Sequence, residues 1–140
     1  MVEELISPMV SGAENRALCT IPSDAEIHCV VKQLGPAKAP GPEGMTASFY
    51  QHYWPTVAPA VCGMIRTFFS SGFLLKQLNH SFLALIPKTP NPSLAEHFRP
   101  ISLCNVSCKI ISKLLADRLK VLLPKLISSS QSAFVPGRII

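Results

Sequence analysis

The sequence predicts an α+β domain in which several helices surround a small antiparallel pair of strands. Two observations lead to this prediction. Apolar residues recur at helical spacing in the first and last thirds of the chain. Between them lies a short apolar run at residues 81–87, bounded by proline, which predicts a buried strand. The chain has 140 residues, enough for one domain or part of one, since single domains run to about 100–200 residues.

Three helices are predicted ahead of the strand. The first begins at Ser23, which together with Glu26 fits a capping box. An aromatic helix follows at residues 46–54 and is expected to end at Pro55. A longer helix then runs to Gly72, where a glycine is typical of a helix C-terminus.

A second strand and the strongest helix are predicted after residue 100. Residues 101–104 form a shorter apolar run, which is expected to pair with the first strand as a hairpin. Asn105 is predicted as the N-cap of a helix over residues 106–123, stopped by Pro124. Four charged residues fall on the face opposite the apolar one, where we expect contact with solvent: Lys109, Lys113, Asp117 and Lys120.

Composition narrows the class of protein. The formal net charge is +5, and six of the eight acidic residues lie at or before Glu43, so the C-terminal half is basic and suits a polyanionic partner. Residues 1–19 show no clear period and are expected to be a loose lead-in to a domain over residues 20–140. These features permit nucleic-acid binding without requiring it.

The cysteine pattern and the hydropathy predict the cellular compartment of the protein. Five cysteines form an odd set without a C-x-x-C pair, which favours free thiols in a reducing compartment. No uncharged apolar run approaches the roughly 18–20 residues of a membrane span. We therefore expect an intracellular protein, cytoplasmic or nuclear, without a membrane partner.

A turn-rich loop, KAPGPEG, occupies residues 38–44. It contains Lys38, Gly41, Pro42, Glu43 and Gly44. Glycine lets another backbone approach closely and proline restricts the path, so a fixed structural loop is expected. Composition alone also fits an ordinary connection between two helices.

Lys88 and Arg99 lie at the two ends of a proline-rich loop, each beside a strand-like run. Arginine can bind a phosphate bidentately, and lysine adds a mobile positive charge. The pair therefore suits a triphosphate or a nucleic-acid backbone. The alternative is that both are surface cations at strand ends.

A third motif, SQSAFVPGR, occupies residues 130–138. Arg138 on a Pro-Gly turn is a candidate phosphate contact, and Phe134 could stack on a base or fill a core. Gln131 belongs to the same segment.

These three motifs, in this order, resemble the front end of the reverse transcriptases of LINE-type (non-LTR) retrotransposons, especially those of plants. The resemblance implies a helix-rich fingers subdomain, with the palm domain largely missing. It implies that Lys88 and Arg99 bind the incoming deoxynucleoside triphosphate, and that Gln131, Phe134 and Arg138 lie near the template. The partners it implies are an RNA or DNA template-primer and the missing palm domain, with Mg²⁺ as the cofactor of the full enzyme.

Catalytic carboxylates are not evident in this sequence. Its two aspartates, Asp24 and Asp117, are placed as a helix cap and a surface residue, whereas nucleotidyl transfer uses metal ions held by clustered carboxylates. We therefore expect a truncated RNA-directed DNA polymerase that is inactive alone and holds no cofactor. A stand-alone basic nucleic-acid-binding module and a decayed fragment without function are the alternatives.

Overall fold

The computed structural model describes residues 9–128 and 130–131. Within them, six α-helices, one short 3₁₀ helix (Ala95–His97) and one two-stranded antiparallel sheet confirm the mixed helix-and-strand class. The helices are α1 (Gly12–Cys19), α2 (Asp24–Gln33), α3 (Ala47–His52), α4 (Trp54–Ser71), α5 (Val106–Lys120) and α6 (Leu123–Leu126), and the strands are β1 (Ser81–Pro87) and β2 (Phe98–Cys104). None of the helices in this part of the chain is both long and apolar enough to cross a membrane.

The hydrophobic core lies between α2, α4 and α5. Each of these helices turns an apolar stripe inward, because its apolar residues recur three or four positions apart. The buried cluster consists of Ile27, Val30, Val31, Val61, Cys62, Ile65, Val106, Ile110, Ile111 and Leu114. The hairpin of β1 and β2 contributes no residue to this cluster.

Helix α2 begins with one of the two hydrogen bonds of the predicted capping box. The Ser23 hydroxyl accepts a hydrogen bond from the Glu26 backbone N–H at 3.2 Å, as expected. The Glu26 carboxylate, however, binds the guanidinium of Arg118 on α5 at 2.9 Å. A charged partner on a distant helix thus replaces the local backbone donor.

Two helix boundaries differ from the predictions because proline begins a helix as readily as it ends one. Trp54, expected to close the aromatic helix, opens α4, and Pro55 lies in the first turn. Pro124 likewise lies in the first turn of α6, while α5 ends earlier, at Lys120. The predicted stop at Gly72 is confirmed, since this glycine adopts the left-handed conformation with φ of 71°.

The expected loose lead-in contains a helix instead. Helix α1 has a complete capping box, in which Ser11 Oγ accepts from the Glu14 N–H and the Glu14 carboxylate accepts from the Ser11 N–H. The same carboxylate binds Lys125 Nζ at 2.8 Å. This ion pair ties the lead-in to α6, so part of the segment is docked rather than loose.

The predicted hairpin is present, but the expectation that its first strand is buried was wrong. Strand β1 pairs with β2 in the register Ser81↔Cys104 to Pro87↔Phe98, so β2 begins three residues earlier than predicted. Nearly every residue of β1 is exposed, including Leu83 at 67%. An apolar run indicates a strand, but it does not reveal whether other residues of the chain pack against that strand and bury it.

Candidate functional site

Lys88 and Arg99 lie at the end of the hairpin where a loop connects β1 to β2. Arg99 pairs with Ile86, and one step beyond β1 the Lys88 N–H donates to the carbonyl of His97 at 2.7 Å. Because the pairing continues in the same register, Lys88 and Arg99 are diagonal neighbours on one face, a relationship that places Cα atoms about 7–8 Å apart. The fold thus brings together two cations that are separated by a ten-residue loop.

The two cations differ in their surroundings. The Arg99 guanidinium is exposed and forms no hydrogen bond or ion pair with any residue in the described part of the chain. Lys88 Nζ is also exposed but donates to the carbonyl of Glu96 at 2.8 Å. Arg99 is therefore ready to bind an anion, whereas Lys88 must exchange one neutral acceptor for it.

The loop between the two cations is held by His97. Its Nδ1 accepts hydrogen bonds from the backbone N–H groups of Ser93 and Leu94, at 3.1 and 3.3 Å. The donation from Lys88 N–H to the His97 carbonyl closes the base of the loop. These bonds restrict the loop, so the spacing of the two cations is set by backbone structure and not by long side chains alone.

Loop 38–44 anchors the other end of the hairpin, where β2 enters α5. Gly41 is buried so closely against Cys104 and Asn105 that a side-chain carbon built on it would overlap their backbone. The Gly44 N–H donates to the Gly41 carbonyl at 3.0 Å, closing a turn in which Pro42 takes the position that proline favours. The predicted structural loop is thus a tight turn packed on the strand–helix junction.

The side chains of Asn105 and Glu43 connect loop 38–44 to the start of α5. Asn105 is confirmed as the N-cap residue of α5, but its side chain makes no cap hydrogen bond to this helix. Instead its Oδ1 accepts from the Glu43 N–H at 3.1 Å. The Glu43 carboxylate takes over the helix terminus by accepting from the Val106 N–H at 2.6 Å, where a negative charge also suits the helix dipole.

Asn105 also fixes the segment that leads into β1. Its Nδ2 donates to the carbonyls of Gln77 and Leu78, at 3.4 and 3.1 Å. The residue is only 2% exposed, so all three of its hydrogen bonds replace lost contacts with water. One side chain therefore holds loop 38–44, the approach to β1 and the exit from β2.

Helix α5 adds a further tether. Lys109, expected to face solvent only, donates from Nζ to the Ala39 carbonyl at 2.7 Å. Lys113 and Lys120 bind Asp117 at 2.9 and 3.3 Å, as their spacing on one face allows. Lys38, in contrast, is an exposed residue at the start of the loop.

Burial, and after it the nearby Glu43 carboxylate, which disfavours a second negative charge, together raise the pKa of Tyr50 from 10.0 to about 12. The folded state therefore holds the phenol proton more tightly than the unfolded state. The stability this contributes is complete below pH 10 and is lost as the pH rises towards 12.

We expect an absorbance titration of the phenolate to show one late transition, which Tyr50→Phe removes and Tyr53→Phe retains. Glu43→Gln should move that transition to lower pH, because it removes the neighbouring charge. A late transition that survives Tyr50→Phe would contradict this assignment.

The segment expected near the template is only partly described. Gln131 is exposed, and its backbone N–H donates to the Ser128 carbonyl at 3.1 Å. Phe134 and Arg138 lie outside the described residues. Their predicted roles stay predictions.

No group of three or more His, Cys, Asp or Glu residues that could hold a metal ion occurs among residues 9–128 and 130–131. Of the two aspartates, Asp24 binds Arg66, and Asp117 binds Lys113 and Lys120. Each carboxylate is thus engaged by a cation, and the donor set does not fit a divalent metal centre.

Comparison with known proteins points to a mobile element. The chain matches no protein-family model. It is 32% identical over 133 residues to an uncharacterized 149 kDa protein of transposon TX1 from Xenopus laevis. The similarity covers 95% of this chain, whereas the chain spans only 10% of that relative's length. It supports a transposon-derived chain.

Proposed function

We propose that this chain is part of the reverse transcriptase of a LINE-type retrotransposon and contributes contacts to the incoming nucleotide. The observation that carries the proposal is the hairpin register, which places Lys88 and Arg99 side by side on one exposed face. The similarity to a transposon protein over 133 residues supports the same assignment. Residues Gln131, Phe134 and Arg138 are proposed to contact the template strand.

The chemistry of the pair suits a triphosphate. The planar Arg99 guanidinium can donate two parallel hydrogen bonds to one phosphate group, and Lys88 Nζ can leave the Glu96 carbonyl for a charged acceptor. Both groups sit on strands or next to them, so their positions are restrained before the nucleotide arrives. Their contribution is to bind and orient the phosphates.

Divalent metal chemistry is not assigned to the described residues. The resemblance implies Mg²⁺ for the whole enzyme, but the carboxylates described above form no cluster that would hold it. We propose that the metal-binding carboxylates belong to the palm domain, and that this chain works together with that domain.

Arg99→Ala tests the proposal in a polymerase-active protein that contains this sequence. Loss of a charge-assisted phosphate contact costs about 1.5–3 kcal/mol, so KM for the nucleotide should rise roughly ten- to a hundred-fold while template affinity changes little. Arg99→Lys should restore part of the loss, because the charge remains and the planar fork does not.

Arg66→Ala is the matched control. Arg66 is an exposed arginine on α4, bound to Asp24 and remote in sequence from the hairpin. Its replacement should leave the nucleotide KM near its original value. Equal and small effects at Arg99 and Arg66 would identify Arg99 as a surface charge only.

A further inference from the structure

The two outer edges of the hairpin are not equivalent. In an antiparallel pair, hydrogen-bonded and non-hydrogen-bonded residue pairs alternate. Since Lys88 N–H donates to His97 across the ladder, the pairs Leu85↔Pro100 and Leu83↔Ser102 are of the non-hydrogen-bonded kind. The backbone N–H and C=O groups of such residues point away from the partner strand. Proline occurs in this hairpin only at such outward positions, as its missing N–H requires.

The edge of β2 has lost half of its donors. Pro100 has no N–H, and the Phe98 N–H is already bound to the Ala95 carbonyl. Only Ser102 and Cys104 retain outward donors on this strand. An added strand would therefore find an interrupted ladder along β2.

The edge of β1 is complete from Ser81 to Leu85. Ser81, Leu83 and Leu85 each present an outward N–H and an outward C=O, at every second residue as a ladder needs. The strand carries no charge from Ser81 to Pro87 and has no proline before its last residue. A long, uncharged, apolar edge of this kind is the type that pairs with another strand.

The geometry points to a second copy of this chain as the partner, paired antiparallel along β1 about a two-fold axis at Leu83. In that register Leu83 faces Leu83 of the other copy, and Ser81 faces Leu85. All three are outward residues, so their ladder groups meet each other. Phe82 faces Ala84, a large side chain beside a small one, and no like charges are opposed.

Burial favours this pairing over a free edge. A two-stranded hairpin is marginal in water, whereas a sheet of more strands with an apolar face is stable. Pairing two hairpins along β1 makes a four-stranded sheet and brings together side chains that are exposed in one copy: Phe82, Leu83, Leu85 and Ile86. The association should be weak enough to dissociate on dilution, because this register pairs only five residues of each strand, residues 81–85.

Leu83→Pro and Ser102→Pro form a matched pair of tests in the full chain. The two residues oppose each other in the hairpin, and each replacement removes one outward N–H while keeping the bonds between β1 and β2. Light scattering during size-exclusion chromatography should show a concentration-dependent dimer for the original chain and for Ser102→Pro, and a monomer for Leu83→Pro. A monomer at every concentration, or a dimer equally sensitive to both prolines, would overturn the proposal.

Charged variants test the register itself. Leu83→Glu and Leu83→Lys should each be monomeric, because the two-fold axis opposes like charges, and an equimolar mixture should recover a heterodimer. Circular dichroism of each variant checks that its helices are intact. If the mixture stays monomeric while the original chain dimerises, the axis does not lie at Leu83 and this register is wrong.

Discussion

Gly41→Ala is expected to lower the free energy of unfolding by about 3 kcal/mol or more, the upper range for a group forced into a packed interior. The added methyl group would lie within 2.6 Å of Asn105 Oδ1 and closer still to the backbone where Cys104 joins Asn105. Neither neighbour can move freely, because Asn105 is buried and its side chain holds three backbone groups. Chemical denaturation followed by circular dichroism measures the loss.

Gly63→Ala is the control for this experiment. Gly63 lies inside α4, and a methyl group built on it would meet no atom within 4 Å apart from its chain neighbours and the backbone of its own helix. Alanine is favoured over glycine in a helix by about 1 kcal/mol, so this variant should be slightly more stable than the original chain. If both alanine variants behave alike, the close approach of loop 38–44 to the strand–helix junction is wrong.

The same junction indicates what loop 38–44 does for the hairpin. Glu43 holds the first turn of α5, and Asn105 holds the loop and the segment before β1. The start of β1 and the end of β2 are thereby both fixed to the helical body. Arg99 lies six residues before Asn105, on the strand that leads to it, so the loop positions the proposed phosphate contact through the strand.

Local patterns in the sequence were sufficient to predict most elements. The spacing of apolar residues predicted α2, α4 and α5, and the proline-bounded run predicted β1. Helix α1 was missed because it buries no residue and shows no apolar period, although its Ser11-x-x-Glu14 capping box was a readable signal. The same signal predicts the start of α2 at Ser23, where an apolar face follows it.

Contacts between distant residues could not be predicted in this way. Glu43 and Val106 are separated by 63 positions, and neither the composition of the loop nor the helical period specifies that they meet. A strand's exposure is equally non-local, because it depends on which other elements lie against it. The proximity of Lys88 and Arg99 follows from the sequence only because the hairpin itself could be predicted.

Arg118 is the clearest case of a residue whose importance is set by distant partners. Its Nε and Nη2 donate to the two carboxylate oxygens of Glu26 at 2.9 and 3.0 Å. Its Nη1 donates to the carbonyls of Leu18 and Thr20, and the guanidinium lies 5.1 Å from the centre of the Phe69 ring. With its side chain only 13% exposed, it joins α5 to α1, α2 and α4.

Arg118→Ala is therefore expected to cost about 3–4 kcal/mol of unfolding free energy, because it leaves the Glu26 carboxylate and two carbonyls without their donors. Arg118→Lys should recover less than half of this loss, since an ammonium group keeps the charge but cannot reach all of these acceptors from one position. Arg66→Ala, which removes a single exposed ion pair with Asp24, should cost no more than about 1 kcal/mol. Denaturation midpoints of the three variants measured side by side test the order. If Arg118→Ala is no more damaging than Arg66→Ala, the guanidinium does not join these helices, and the docking of α1 must depend on Glu14 and Lys125 alone.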